Sequence, residues 1–118
     1  MGHGTFIRGL ETFAVYDKAT HEFVFHTPTD SGIKWWPGGL GKTSTHCILM
    51  ARLVIEGKDL GPHAFIIQIR SLETHKPLPG VELGDIGPKL GCNSLDTLKG
   101  SIVNVCLQMG PSTMALCA

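Results

Sequence analysis

The chain has 118 residues and a formal net charge of zero, with ten basic and ten acidic side chains. A chain of this length is the size of one domain and can bury a modest core. Its balanced charge, without a basic run, argues against a nucleic-acid binder, whose affinity comes mainly from Lys and Arg contacts with phosphates. Fifteen glycines and seven prolines predict many turns and no long helices.

The cysteines and the apolar segments bear on the compartment. No apolar segment approaches the roughly 20 residues that cross a bilayer, and the N-terminus MGHGTFIRG has no signal-peptide apolar stretch. We therefore expect a soluble protein without a membrane span. The four widely spaced cysteines form no Cys-x-x-Cys pair, so we expect reduced intracellular thiols rather than a zinc site or a redox dithiol. They are Cys47, Cys92, Cys106 and Cys117.

In the first half of the chain, short apolar segments alternate with turn residues, which predicts an all-β domain. Residues 12–16 (TFAVY) and 22–26 (EFVFH) predict a hairpin around the polar turn DKATH. By periodicity alone, residues 46–55 (HCILMARLVI) fit a buried strand or a helix. Their β-branched end, the turn EGKD and the strand-like residues 64–70 (AFIIQIR) favour a second hairpin.

The second half of the chain gives weaker signals. Residues 75–80 (HKPLPG) hold two prolines and a glycine, which predicts an ordered loop. Residues 81–86 (VELGDI) predict a short strand, and residues 102–109 (IVNVCLQM) alternate enough to predict a last one.

The stretch KWWPGGLGKTS at residues 34–44 ends like the phosphate-binding loop of a nucleotide hydrolase. That loop needs a glycine, four residues and then Gly-Lys-Ser/Thr, with a strand before it and a helix after it. Gly-Lys-Thr occupies residues 41–43, so the opening glycine would fall at position 36, where the chain has Trp36. The residues that follow read as a strand. We therefore reject the nucleotide-hydrolase interpretation.

Six histidines raise the question of a metal site. His21 and Glu22 begin like a zinc-protease motif, but the next histidine, His26, comes one residue too late. We propose no metal site from the sequence. The remaining candidates, expected to be hydrogen-bonded turn or strand-edge residues, are His46, His63 and His75.

Three charged residues near loops have structural interpretations, and two of them also have a functional one. Asp85 is expected to cap its loop or to pair with Lys89. Arg8 and Arg70 suit bidentate phosphate binding and so could reach the phosphates of a ligand. Surface ion pairs are the preferred prediction for both arginines.

Four stretches, in this order and spacing, resemble the peroxisomal acyl-CoA oxidase family: GHGTFIRGLET, KWWPGGLGKTSTH, GPHAFIIQIR and THKPLPGVELGDIGPKLG. The resemblance implies a small antiparallel β-barrel or sandwich, like the middle domain of acyl-CoA oxidases and dehydrogenases. It covers residues 1–96 as a domain that starts inside a motif. Residues 97–118 (TLKGSIVNVCLQMGPSTMALCA) depart from the family and form a divergent tail with room for one strand.

The resemblance also implies a function. Members of this family are FAD-binding dimers that oxidise a fatty acyl-CoA to the trans-2-enoyl-CoA, and the reduced flavin then gives electrons to oxygen to form hydrogen peroxide. The carboxylate base of the family belongs to a C-terminal helical domain, so we expect this chain alone to be inactive. The family is peroxisomal, although the last three residues (LCA) are not a Ser-Lys-Leu address.

By resemblance, the segment KWWPGG lies against the flavin. Gly38 matches the glycine whose backbone contacts FAD, and a side chain there would crowd the ring. Trp35 and Trp36 offer flat apolar surface beside the isoalloxazine, with simple core packing as the alternative for either one. Pro37 and Gly39 complete the candidate cofactor-binding set.

The N-terminal turn carries the candidate substrate-binding residues, also by resemblance. His3, Gly4 and Thr5 match the turn that approaches the thioester and pantetheine arm of acyl-CoA, and the Thr5 hydroxyl would donate to that ligand. A threonine that only satisfies its own turn is the alternative. The family has a further threonine in a Thr-Glu-Leu-Gly-His-Gly motif, of which Met1 occupies the leucine position.

A second hypothesis belongs to a different class of function. The chain would then be a non-catalytic β module that pairs with a full-length oxidase through exposed sheet edges and apolar surface. Flavin binding discriminates between the two hypotheses, because only the first requires it.

Overall fold

The computed structural model describes residues 4–91, 97–102, 105–108 and 115–116. In these ranges the chain forms β-strands joined by turns and two short 3₁₀ segments, at Gly4–Gly9 and Asp30–Gly32. No helix in the described ranges is long and apolar enough to cross a membrane. The strands are β1 (Phe13–Asp17), β2 (Glu22–His26), β3 (Lys34–Gly38), β4 (His46–Ile55), β5 (Lys58–Gln68), β6 (Val81–Asp85), β7 (Thr97–Ile102), β8 (Val105–Gln108) and β9 (Ala115–Leu116).

Six strands form the larger sheet, in the order β8-β2-β1-β4-β5-β9. Its neighbours are antiparallel except for β1 and β4, which run parallel. A parallel pair needs a long crossover connection, and residues 18–45, which include β2 and β3, provide it. The all-β prediction is confirmed, whereas the purely antiparallel arrangement is wrong at this pair. Among the described strands, the sheet is open rather than closed into a barrel.

The smaller sheet has the order β3-β7-β6, and both of its pairs are antiparallel. Its middle strand, β7, comes from residues 97–118, which are predicted to depart from the family pattern. The smaller sheet therefore joins residues from both parts of the chain, and the division at residue 96 stays a prediction.

The predicted elements differ in how well they match the structure. The two predicted hairpins are confirmed as β1–β2 and β4–β5, and the loop at residues 75–80 and the short strand β6 are also confirmed. The strand β5 begins at Lys58 rather than at residue 64. The strand β3 was not predicted. The strand predicted for residues 102–109 contains β8 and the last residue of β7, whereas residues 103, 104 and 109 lie outside the described residues.

The core lies on the inner face of the larger sheet. Alternation in β2, β4 and β5 points every second side chain inward, which is the pattern of a half-buried strand. Phe25 and Phe65 are fully buried, with ring centroids 5.0 Å apart in an edge-to-face arrangement, and Phe23 packs against Phe65 at 5.4 Å. Such aromatic pairs stabilise a fold beyond the apolar area they bury.

The outer face of the same sheet is also partly apolar. Ile48, on the face of β4 opposite to the buried Leu49, is 64% exposed, and Val15 on β1 is 43% exposed. The two faces of the larger sheet thus differ in environment, because one face is packed and the other has apolar side chains exposed to solvent. An exposed apolar face of this kind is typical of a surface that contacts another protein or domain.

Phe65 gives a test of the core. We expect Phe65→Ala to lower the free energy of unfolding by about 3–5 kcal/mol, because it opens a cavity beside Phe23 and Phe25. Phe6→Ala is the matched control, since Phe6 is 69% exposed and its truncation should cost less than about 0.5 kcal/mol. Urea unfolding followed by circular dichroism measures both. Equal losses for the two variants would contradict the core placed here.

Cys47 gives a test of burial by its reactivity. Burial on β4 raises the pKa of the Cys47 thiol to about 11 from the ordinary 9.0. At pH 8 the reactive thiolate is then roughly a hundredfold scarcer than in an open thiol, and alkylation slows in proportion. Iodoacetamide labelling with peptide mass mapping should find Cys47 slow in the folded chain and fast in denaturing urea. Equal rates in both conditions would contradict its burial.

Candidate functional site

The candidate cofactor residues lie on β3, which has an irregular edge. Lys34 pairs with Gly100 and Trp35 with Lys99, but the next pairing, Gly38 with Thr97, leaves one extra residue in β3. This is a β-bulge, and it falls at Trp36–Pro37. Proline lacks the N–H that a central strand must donate, so it is confined to edge strands and bulges. Within the described strands, β3 pairs with β7 alone and lies at the sheet edge.

The residues around the bulge differ in exposure and in backbone conformation. Gly38 is exposed, while Trp35 and Pro37 are half-buried. Gly39 has a φ of 78°, in the left-handed region that favours glycine. A Cβ on Gly39 would also meet Ser44 Oγ at 3.3 Å. The backbone of Trp36 lies within β3.

After β3 the chain makes a tight turn, which we call the glycine loop (residues 39–44). The carbonyl of Gly39 accepts hydrogen bonds from Ser44 N–H at 2.8 Å and from Thr43 Oγ1 at 2.9 Å. The loop leads directly into strand β4. A strand rather than a helix therefore follows Gly-Lys-Thr, as predicted, and the arrangement differs from a nucleotide phosphate-binding loop.

Arg70 donates hydrogen bonds to two backbone carbonyls of the glycine loop. Its side chain is buried, with the whole residue 4% exposed. Nη1 donates to the Ser44 carbonyl and Nη2 to the Gly41 carbonyl, each at 2.6 Å. The ion pairs found among the described residues do not include Arg70. The predicted surface ion pair of Arg70 is therefore wrong, because its guanidinium is buried against backbone carbonyls.

A histidine and a lysine hold the other side of the loop. His75 donates from Nε2 to the Lys42 carbonyl at 2.7 Å, and Lys42 Nζ pairs with Asp85 Oδ2 at 2.6 Å. Lys42 and then the Gly87 N–H donate hydrogen bonds that lower the pKa of Asp85. Asp85 thus caps its loop as predicted; it pairs with Lys42, and the charge of Lys89 also lowers its pKa.

Lys34 anchors the beginning of the KWWPGG segment. Its Nζ donates to Thr12 Oγ1 at 2.6 Å and to the Gly32 carbonyl at 2.9 Å. Thr12 and Thr27 are buried, and their hydroxyls hydrogen-bond at 3.1 Å. Burial lowers the pKa of the Lys34 ammonium. The KWWPGG segment is therefore fixed by polar contacts before Trp35 and after Gly39.

A carboxylate supports this first anchor. Glu11 accepts hydrogen bonds from Ser31 Oγ at 2.6 Å and from Thr29 Oγ1, and these bonds lower the pKa of Glu11. They tie the entry into β1 to the 3₁₀ segment Asp30–Gly32. The chain thus enters β3 from a fixed turn.

The candidate substrate residues lie in another part of the fold. Gly4 and Thr5 begin the 3₁₀ segment Gly4–Gly9, which lies against β5, whereas His3 is outside the described residues. Arg52 steadies this segment, since its Nη1 donates to the Arg8 carbonyl at 3.3 Å. Arg52 itself pairs with Asp59.

Arg8 and the histidines complete the sequence candidates. Arg8 forms no ion pair with a described residue. His46 Nδ1 bonds Thr45 Oγ1 and His63 Nδ1 donates to the Gly61 carbonyl, each at 3.0 Å, so the predicted hydrogen-bonded roles are confirmed. His21 Nδ1 bonds Tyr16 Oη at 3.1 Å. In the described part of the chain, no three His, Cys, Asp or Glu side chains group as metal ligands would.

Comparison with known proteins identifies close relatives. The chain is 60% identical over 96 residues to peroxisomal acyl-coenzyme A oxidase 1 of Homo sapiens, an alignment that covers 81% of this chain and 14% of that enzyme. No family model matches the chain.

Solved structures of acyl-CoA oxidases have the same fold. The structure of Caenorhabditis elegans acyl-CoA oxidase-1, complexed with FAD and ATP, matches with a TM-score of 0.87 and 48% identity over 92% of this chain and 17% of that one. The C. elegans acyl-CoA oxidase-2, bound with FAD, ascaroside-CoA and ATP, matches with a TM-score of 0.85 and 48% identity over 91% of this chain and 16% of that one. The chain thus spans about one sixth of the length of the oxidases that it matches, and by sequence and fold it belongs to the peroxisomal acyl-CoA oxidase family.

Proposed function

We propose that this chain supplies the β-sheet face that contacts FAD and the acyl-CoA thioester in a peroxisomal acyl-CoA oxidase. The observation that carries the proposal is the KWWPGG segment, a bulged edge strand that ends at exposed Gly38 and is fixed at both ends by polar contacts. A cofactor site needs such a pre-formed surface with few polar contacts and apolar walls.

The residues of this segment fit a flavin ring. Exposed Gly38 has no side chain to keep a planar ring from the backbone, and half-buried Trp35 and Pro37 flank it with apolar surface. Gly39 fixes the turn that follows. Trp36 is the remaining residue of the proposed cofactor-binding set. When bound, FAD supplies the electron acceptor for oxidation of the acyl chain, while the protein orients and shields it.

The first 3₁₀ segment is the proposed substrate side. His3, Gly4 and Thr5 would approach the thioester and pantetheine arm of a fatty acyl-CoA, and Arg52 would keep their segment in place through the Arg8 carbonyl. The proposed reaction converts fatty acyl-CoA and oxygen to trans-2-enoyl-CoA and hydrogen peroxide. The whole enzyme would be a homodimer located in peroxisomes. In it, a carboxylate from another domain would remove the α-proton.

Flavin binding tests the cofactor site. We expect saturable quenching of FAD fluorescence by the purified chain, and Gly38→Trp should weaken this binding by at least about tenfold, because an indole at Gly38 would occupy the space of the ring. Gly91→Trp is the matched control, since a Cβ at Gly91 meets no atom of the described residues within 4 Å. Circular dichroism verifies that both variants fold. Equal affinity of the two variants would place the flavin elsewhere.

Turnover tests the proposed location of the base. With FAD and palmitoyl-CoA added, the isolated chain should release no more hydrogen peroxide than FAD alone, because the proposal assigns removal of the α-proton to a carboxylate of another domain. A peroxidase-coupled dye assay measures this, with a full-length acyl-CoA oxidase as the positive control. Peroxide release that depends on both substrate and chain would show that the chain carries its own base.

The exposed outer face of the larger sheet favours a second candidate function. Ile48 and Val15 leave apolar surface open to solvent, and the smaller sheet has β3 and β6 at its edges. Apolar surface and unpaired edges bind other chains. As a non-catalytic module, the chain would dock on a full-length oxidase without binding flavin.

Affinity capture tests this candidate. A tagged chain should retain purified full-length acyl-CoA oxidase, and Ile48→Glu should abolish the capture, because it buries a charge in the apolar contact. Leu72→Glu is the matched control, since Leu72 is equally exposed, at 68%, but lies in the loop after β5. Failure of the unchanged chain to retain the oxidase would exclude the module.

A further inference from the structure

We propose that Arg70 is a positioning residue for the flavin contact at Gly38. The inference rests on the proposed function, because it assigns to Arg70 the geometry of the surface that FAD would meet. Arg70 does not touch that surface itself. It acts through the glycine loop.

The guanidinium of Arg70 fixes two peptide groups at once. Its two nitrogens bond the carbonyls of Gly41 and Ser44, three residues apart, at 2.6 Å each. The guanidinium is a rigid planar fork, so two simultaneous bonds define the orientation of both carbonyls as well as their distance. A lysine at the same place offers a single point of contact and no such plane.

The link from Arg70 to Gly38 runs through Ser44, one hydrogen bond and Gly39. Arg70 holds the Ser44 carbonyl, and the Ser44 N–H, on the other side of the same Cα, donates to the Gly39 carbonyl at 2.8 Å. Gly39 is bonded covalently to Gly38, where the β-bulge ends and pairing with Thr97 resumes. A displacement of Ser44 would therefore pull on Gly39 and shift the backbone that follows the bulge.

The charge of Arg70 supports a geometric role over a stabilising one. A buried guanidinium is costly unless polar groups satisfy it, and in the described part of the chain its partners are backbone carbonyls rather than a carboxylate. An apolar side chain of similar volume often contributes as much stability as a buried ionic group. What such a side chain cannot supply is the pair of directed bonds that orients the loop.

Three further contacts hold the loop. His75 bonds the Lys42 carbonyl and Asp85 pairs with the Lys42 ammonium at the middle of the loop. Thr43 Oγ1 donates to the Gly39 carbonyl at 2.9 Å from within the loop. Arg70 differs from these because it binds, from outside the loop, the carbonyl of Ser44, the residue whose N–H closes the loop onto Gly39.

The chain contains its own probe for this inference. Its two tryptophans are adjacent, Trp35 and Trp36, so intrinsic tryptophan emission reports the KWWPGG segment alone. We expect Arg70→Met to shift this emission, to accelerate hydrogen exchange of the Ser44 amide by at least about tenfold, and to weaken FAD binding by a similar factor, because two directed bonds are lost. Arg70→Lys should recover part of each effect, since it restores one donor.

The controls separate positioning from general stability. Lys58→Met removes a cation from the opposite end of the β5 region and should leave tryptophan emission and Ser44 exchange unchanged. In Arg70→Met, exchange in the β1–β2 hairpin should stay as in the unchanged chain. Uniform acceleration across both sheets, or unchanged emission and Ser44 exchange, would overturn the inference.

The experiment also distinguishes this inference from the proposed function. If the unchanged chain binds no FAD, the proposed cofactor site fails, while emission and exchange still decide whether Arg70 orients the loop. Suppose instead that Arg70→Met folds, shows accelerated Ser44 exchange and binds FAD with the affinity of the unchanged chain. The cofactor site then stands, and the positioning role of Arg70 is overturned. Arg70→Lys decides both points if Arg70→Met does not fold.

Discussion

The fork of hydrogen bonds from Arg70 to the glycine loop joins the two sheets of this fold. The loop connects β3 of the smaller sheet to β4 of the larger one, and Arg70 follows β5 of the larger sheet. The backbone supports the same junction, since the N–H groups of Ile69 and Arg70 both donate to the Thr45 carbonyl, at 2.8 and 3.2 Å. Without these contacts, the half-buried residues Gly41 and Ser44 would lose the hydrogen-bond partners of their carbonyls, which costs free energy. The position of β3 relative to the core thus depends on this junction.

Polar contacts around β3 do not all respond to pH in the same direction. Asp85 has a lowered pKa, through hydrogen bonds from Lys42 and Gly87. A carboxylate of this kind contributes stability above its ordinary pKa, and the contribution is lost as pH falls through the lowered value. The Lys34 ammonium has a lowered pKa because of burial, so its charged form is disfavoured in the folded state, and protonation opposes folding there. The hold on the loop should therefore weaken in acid first at Asp85, whereas Arg70 stays charged throughout.

The sequence predicted most regular strands but neither β3 nor the burial of Arg70, for physical reasons. Alternating apolar residues mark β1, β2 and β4 because each has one buried face. The strand β3 escaped because Pro37 and Gly38 argue against a strand, and only a bulge at a sheet edge accommodates them. The burial of Arg70 was not predicted because β5 ends at Gln68. Beyond that residue, the direction of a side chain depends on the tertiary contacts between β5 and the glycine loop. An arginine directly after a strongly apolar strand was the available signal, but charge alone favoured the surface.

The proposed flavin surface depends on a strand from the segment that the sequence analysis predicts to depart from the family. The sequence alignment with the human relative covers 81% of the chain, whereas the structural match with the C. elegans oxidase-1 covers 92%. The partner of β3 is β7, and the two are joined by backbone pairs such as Trp35 with Lys99 and Gly38 with Thr97. Strand pairing uses backbone groups that every residue except proline carries. A divergent segment can therefore complete the smaller sheet and hold the bulge open, provided that it keeps the register that places Gly38 at the edge.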